Sequence, residues 1–237
     1  MNYTDITKIY VIVNKDKEPE RYNKIIEQFK SQKINNYEII NNNIWGNNIT
    51  TEIRTKYVKT DTSMRFHGRN MIDKPLSNAE ISLFLNHIYC LKHIQRQYKE
   101  GIFLILESDA IIMNDFYQNL SNIIQSSNQI NDWDIINIGA GQQKYMKQIG
   151  YPKTTEIKIN DLSFFKENIN RCAEALIWNY TSVNKFIDYF EVNEDIDSPI
   201  DTKIDVFSAI GLFNIYWCNP EIVYQGSIFN IFKSHLR

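Results

Sequence analysis

Ile102-Phe103-Leu104-Ile105-Leu106 runs without a break into Glu107-Ser108-Asp109. An uninterrupted apolar run of this length reads as a strand buried on both faces, as in parallel sheets covered by helices. The abrupt change to two acids one residue apart marks its end. In open α/β sheets, ligands bind beyond the carboxyl ends of the strands. Glu107 and Asp109 are therefore candidate ligands for a hard, partly hydrated cation, Mg²⁺ or Mn²⁺. Acids placed there also cap turns and helices, and a short motif does not separate the two readings.

Upstream, Ser77-Asn78-Ala79-Glu80 has the capping-box pattern. Ile81, Phe84, Leu85, Ile88 and Leu91 then mark one helical face, closed by Gly101. Nearer the start, Lys8 to Val13 reads as a strand ended by Asn14, and Pro19 suits the first turn of a helix with Tyr22, Ile25, Ile26 and Phe29 on one side. A short strand is expected at Tyr37 to Ile40. The polar stretch 41–74, with Arg54, Arg65 and Arg69, reads as a long irregular loop, and loops of that length usually serve a site.

Downstream, Phe116, Leu120, Ile123 and Ile124 predict a helix, and Trp133 to Ile138 a strand leading to Gly139-Ala140-Gly141. Ala173 to Trp178 reads as a strand, Val183, Phe186, Ile187 and Phe190 as a helix face, Pro199-Ile200-Asp201 as a helix start, and Phe213 to Trp217 as a late strand. The β-α alternation over the first part of the chain predicts a single α/β domain: a mostly parallel twisted sheet flanked by helices, to which the later elements add.

Composition narrows the function classes. The 237 residues are 43% hydrophobic and 23% charged, with 14 Tyr, 13 Phe and 4 Trp, which supplies a large core. A net charge of −2 gives no global field toward nucleic acid or anionic lipid. With 8 Gly and no GxGxxG or GxxxxGK[ST] string, the usual dinucleotide and P-loop phosphate cradles are not expected. Cys90, Cys172 and Cys218 have neither metal-clip nor redox spacing and read as small buried hydrophobes. The polar first residues and the absence of any apolar run near 18 residues give the expectation of a cytoplasmic protein without a transmembrane segment.

Further residues carry candidate chemistry. Glu80 and His87 lie about two helical turns apart and project from similar sides. The capping-box pattern already accounts for Glu80, and a core-edge histidine bonded to backbone accounts for His87. Asp201 and Asp205 are neighbours at i, i+4. Asp201 reads either as a functional acid or as a helix-start acid favoured by the macrodipole. In Tyr224-Gln225-Gly226-Ser227 a glycine beside polar groups allows close backbone approach to a ligand. His235 could offer a neutral imidazole to a metal.

In this order and spacing, the pieces resemble glycosyltransferase family 25, the lipopolysaccharide-biosynthesis and collagen-galactosyltransferase-like enzymes. Val11-Ile12-Val13-Asn14 with Glu20-Arg21 matches the family's opening. Ala79 to His87 stands where the family reads G-E-I-G-C-F-L-S-H, and Leu106-Glu107-Ser108-Asp109 where it reads L-E-D-D. Asp134 to Gly139, Pro199-Ile200-Asp201, and Pro220 to Ser227 match its later motifs. Ala79, Ser82, Asn86 and Ser108 depart from the pattern.

The resemblance implies a GT-A-like fold and transfer of a hexose, galactose or glucose, from a UDP-sugar to a glycan or protein acceptor, with inversion. It implies a nucleotide-binding part over about 1–140 and an acceptor side over about 141–237. It implies metal at Glu107, Asp109 and His235, donor contacts from Asn14, Arg21, Gln225 and Ser227, and catalytic roles for Asp201, Glu80 and His87. Asp201 is the expected base, with Asp205 and Glu174 behind it. A degenerate relative that binds nucleotide-sugar or glycan without turnover is the alternative. A Mg²⁺-dependent phosphotransferase would need a phosphate-cradling Gly loop or a nucleophilic Asp, and neither is evident.

Overall fold

The computed structural model describes residues 5–41, 44–59, 63–67, 70–141, 156–166, 172–193 and 195–233, with the backbone alone at 63–67 and 70–73. Strand β1 (Lys8–Ile12) leads into α1 (Pro19–Ser31) and β2 (Tyr37–Ile40). A 3₁₀ turn (Gly46–Asn48), α2 (Thr51–Tyr57) and the hairpin β3 (Ser63–His67)–β4 (Asn70–Lys74) precede the long α3 (Asn78–Gln97). Then come β5 (Ile102–Glu107), β6 (Ala110–Ile112), α4 (Phe116–Ser127), β7 (Ile135–Asn137), β8 (Glu156–Ile159), β9 (Leu162–Lys166) and β10 (Ala175–Asn179). Helices α5 (Tyr180–Asn193) and α6 (Ile200–Ala209) and strands β11 (Ile215–Asn219) and β12 (Val223–Gln225) complete the described chain.

The central sheet has the order β2-β1-β5-β10-β7-β11-β9-β8. Six of its eight strands run one way, and β10 and β9 run against them. Strand β1 is parallel to both neighbours, with Ile12 opposite Glu107, so β1 and β5 end at the same edge. Side-chain alternation along each strand feeds two cores. On one face Tyr10, Phe103, Ile105, Leu176 and Trp178 pack with Phe84, Leu91, Phe186 and Phe207 of α3, α5 and α6. On the other, Ile9, Val11, Leu104, Leu106 and Ile177 meet Ile25, Phe29, Phe116, Leu120 and Ile123 of α1 and α4. All six residues of β5 are buried, as its apolar run predicted.

The structure corrects one expectation. The stretch 41–74 is not an irregular loop; it holds the 3₁₀ turn, α2 and the β3–β4 hairpin. Helix α2 is capped at its start by Thr50, whose side chain accepts from the Ile53 N–H, and it buries no residue, so it carries no apolar stripe to read. Arg69 lies outside the described residues. Cys90 and Cys218 are buried, whereas Cys172 is partly exposed at φ 66°; none is bridged. No described helix is long and apolar enough to cross a membrane.

Phe186 sits at the centre of the α5 packing, its ring 5.5 Å from Trp178, 5.2 Å from Phe207 and 6.4 Å from Phe84. Phe186→Ala is expected to cost about 3–5 kcal/mol of stability through lost burial and a residual cavity, read from the denaturant midpoint at unchanged m-value.

Candidate active-site cleft

Strand β5 places Glu107, Ser108 and Asp109 at the edge where β1 also ends, and each of the three is held by a different remote segment. Glu107 is held from α3: His87 Nε2 and Glu107 Oε1 are hydrogen-bonded at 3.3 Å, and the imidazole is wholly buried. Burial pushes the Glu107 carboxyl above its ordinary range; His87 opposes that shift, and Asp109 and Asp201 add to it. Asp109 is held from the C-terminal side. The Gly226 N–H donates to its carbonyl at 2.7 Å and the Ser227 N–H to Oδ2 at 3.3 Å. A Cβ on Gly226 would lie 2.9 Å from the Asp109 carbonyl and 2.5 Å from the Phe232 ring, so only glycine lets this turn approach so closely.

Ser108 is held from α1. Its Oγ donates to Glu18 Oε1 at 2.9 Å and accepts from Arg21 Nη1 at 2.8 Å, while Arg21 also pairs with Glu18 at 3.1 Å. Arg21 Nη2 donates to the Lys233 carbonyl at 2.6 Å, and the guanidinium lies over Phe232. Asn14 builds the turn before this helix: its Oδ1 accepts from the Asp16 and Lys17 N–H groups, both at 2.9 Å. Asn14 and Arg21 thus spend their polar groups on the β1–α1 turn and on Ser108.

These elements enclose a cleft of about 420 Å³. Ile12, Lys17, Glu18 and Arg21 form one wall, Trp45 to Asn47 with Ala79, Ser82, Leu83 and Asn86 another, and Glu107, Ser108, Asp109, Gln225 and Ser227 the end nearest the acids. Gln225 Oε1 is buried without a hydrogen-bond partner. A larger groove of about 570 Å³ lies at the far end of the β6–β12 ladder, beside Met113 and Ile222. It contains none of the strand-end acids, so the chemistry points to the smaller cleft.

The sequence-predicted residues divide accordingly. Arg21, Glu107, Asp109, Gln225 and Ser227 line the cleft, and His87 stands behind it under Glu107. Asn14 shapes the adjoining turn. Glu80 is not among the lining residues: its carboxylate accepts from the Ser77 N–H at 2.8 Å and the Ser77 hydroxyl at 2.6 Å, completing the capping box of α3. Asp201 lies in the first turn of α6, Oδ1 accepting from the Thr202 N–H at 2.8 Å and Oδ2 from the Cys172 N–H at 3.3 Å. His235 lies outside the described residues. Sequence reading did not single out Glu18, Lys17, Trp45 or the tie between Ser108 and α1; the one local signal was Glu18 three residues before Arg21.

Among the described residues no group of three His, Cys, Asp or Glu is placed to hold an ion. Three carboxylates among the described residues line the cleft; Glu18 is engaged by Arg21 and Ser108, and Glu107 and Asp109 are the donor pair at the strand end. That pair suits a hard cation whose other positions are filled by phosphate oxygens and water, rather than a self-sufficient protein cage.

Glu174, just before β10, adds a buried acid beside them, its carbonyl accepting from the Glu107 N–H at 3.0 Å. Gly141 N–H donates to its Oε1 at 2.8 Å, and its Oε2 has no partner. A Cβ on Gly139 or Gly141 would fall 2.2 or 2.8 Å from Oε1, so this glycine pair makes room for the carboxyl. Burial holds the Glu174 carboxyl well above its ordinary 4.5. A raised carboxyl stabilises the fold fully below the unfolded-state value, and that contribution is lost as pH climbs toward the folded-state one. Glu174→Gln is therefore expected to gain stability relative to the wild type as pH rises above 4.5, with the gain flattening at higher pH, in parallel urea titrations across pH.

The model of glycosyltransferase family 25, described as LPS biosynthesis protein, matches residues 6–193. No curated protein matches the chain. The matched span runs from β1 to the end of α5 and contains Asn14, Arg21, His87, Glu107, Asp109 and Glu174, while Asp201, Gln225 and Ser227 follow it. With well over half of its length matched, and with Glu107 and Asp109 at the edge where β1 and β5 end, the chain belongs to glycosyltransferase family 25.

Proposed function

We propose that this glycosyltransferase moves a hexose, galactose or glucose, from a UDP-sugar to a glycan or protein acceptor, with inversion and with Mg²⁺ or Mn²⁺ bound, in a GT-A-like arrangement. The observation that carries the reading is the pair Glu107 and Asp109 lining a cleft at the carboxyl ends of the parallel strands β1 and β5. A cation held by this pair would neutralise the departing diphosphate. Asp109, fixed by the Gly226 and Ser227 N–H groups, presents its carboxylate there, and His87 orients Glu107. Lys17 adds an exposed side chain on the wall it forms with Glu18 and Arg21.

In the transfer the bond from the anomeric carbon to the diphosphate oxygen breaks, the bond from the acceptor oxygen to that carbon forms, and the acceptor proton passes to a carboxylate. Asp201 is the preferred base. It opens α6, which packs on the face of the sheet opposite α1, beyond the residues that line the cleft. Glu174 ranks behind Asp201: burial raises its carboxyl, its Oε1 accepts from the Gly141 N–H, and it is not among the residues lining the cleft. Three unbridged cysteines are compatible with a cytoplasmic setting.

Nucleotide-sugars titrated with and without Mn²⁺ test the donor. Asp109→Asn should abolish Mn²⁺-dependent UDP binding at an essentially unchanged melting temperature; full UDP affinity in that variant would overturn the metal–diphosphate assignment. Asp201→Asn should lower turnover by about 10²–10⁴-fold while donor binding persists. Normal turnover would move the base elsewhere, and donor binding without any turnover in the wild type would favour a binding-only relative.

A further inference from the structure

Trp45 is the single aromatic residue among the described residues that line the cleft. The backbone on both sides of it is docked on α3. The Ile44 carbonyl accepts from Ser82 Oγ at 2.7 Å and from Asn86 Nδ2 at 2.8 Å, two residues one helical turn apart. Gly46 lies bare against the first turn of α3; a Cβ there would stand 3.3 Å from Ala79 Cα. The Trp45 backbone is thus fixed between two docked neighbours, which lowers the entropy lost when its indole is ordered by a ligand.

Chain order sets which part of a donor faces Trp45. The residue follows β2, the edge strand beyond β1, whereas Glu174 and Asp201 come from the β10 and α6 side of β5. A nucleotide-sugar with its diphosphate at Glu107 and Asp109 and its sugar toward Asp201 directs its base to the β2 side. Arg21 is poorly placed to read the base, because its guanidinium donates to Glu18, Ser108 and the Lys233 carbonyl. Two lining residues bury an amide oxygen without a donor, Asn86 Oδ1 and Gln225 Oε1. For Asn86 the amide orientation is set by chemistry, since its Nδ2 also donates to the Ser82 carbonyl at 2.9 Å. A ligand rich in N–H and O–H groups gains from such acceptors where a bare anion does not.

Resting on the nucleotide-sugar reading, we infer that Trp45 is the platform on which the donor's nucleobase stacks, with Ser82 and Asn86 as the positioning residues that hold it. The probes are UDP and inorganic pyrophosphate, each titrated with Mn²⁺ present. Trp45→Ala should weaken UDP binding about tenfold or more, the scale of one lost base–aromatic stack, and leave pyrophosphate binding unchanged. Trp45→Phe should keep most of the UDP affinity. Trp45→Leu, which retains bulk without a π face, should behave as Trp45→Ala and covers the case in which the alanine variant fails to fold. Ser82→Ala should raise donor KM at constant kcat, and Ser82→Thr, which restores the hydroxyl, should restore KM. Unchanged UDP affinity in Trp45→Ala or Trp45→Leu would overturn the platform while leaving the transferase reading standing. A wild type that binds neither probe would remove both.

Discussion

Strand β5 carries two carboxylates to the end of a strand buried along its whole length, where unpaired charge is costly. The surrounding structure is organised by how that cost is met. Glu107 is hydrogen-bonded to His87 on α3, Ser108 is tied to Glu18 and Arg21 at the start of α1, and Asp109 receives two N–H groups from the turn after β12. Three consecutive residues thus recruit three segments far apart in the chain. The cleft is the space those segments leave between them.

The antiparallel insertion of β10 between β5 and β7 extends this arrangement across the sheet. It sets Glu174 beside Glu107 and requires glycine at 139 and 141 to admit the carboxyl. The acids at this edge then differ by environment rather than by type. Burial raises the Glu174 carboxyl well above its ordinary range, whereas for Glu107, also raised by burial, His87 partly offsets the shift. Divergent environments of this kind let neighbouring carboxyls take different roles in one site.

The departures from the family pattern acquire physical content here. Ser108 stands where the pattern has an acid, and its hydroxyl both donates to Glu18 and accepts from Arg21, which a carboxylate facing Glu18 could not do without repulsion. Ser82 and Asn86, in place of a glycine and a serine, supply the two donors to the Ile44 carbonyl and so hold the Trp45 wall of the cleft. The acid end of the cleft is completed by Gln225 and Ser227, beyond the matched span, so the site draws on the chain outside the family match as well as within it.

The sequence alone determined β5 with its terminal acids, the capped helix α3, the β-α order of the first half and the faces of α1, α4, α5 and α6, because apolar periodicity and capping are local and leave a pattern within a few residues. It offered Gly226 as a point of close approach to a ligand, whereas the structure spends that approach on the Asp109 carbonyl and the Phe232 ring. Only the tertiary structure decided that β10 runs antiparallel inside the sheet, that Glu80 is spent on Ser77, that Arg21 is bound to Ser108, and that the polar stretch after β2 folds into short elements against α3. The partners in those pairings are mostly tens of residues apart. Where they are close, as for Ser77 and Glu80, the choice between a local bond and a place in the cleft depends on what else folds around them. A hydrogen bond between distant side chains imposes no period on the sequence, so the residues that build the site were visible as types, and their assignments came only from the fold.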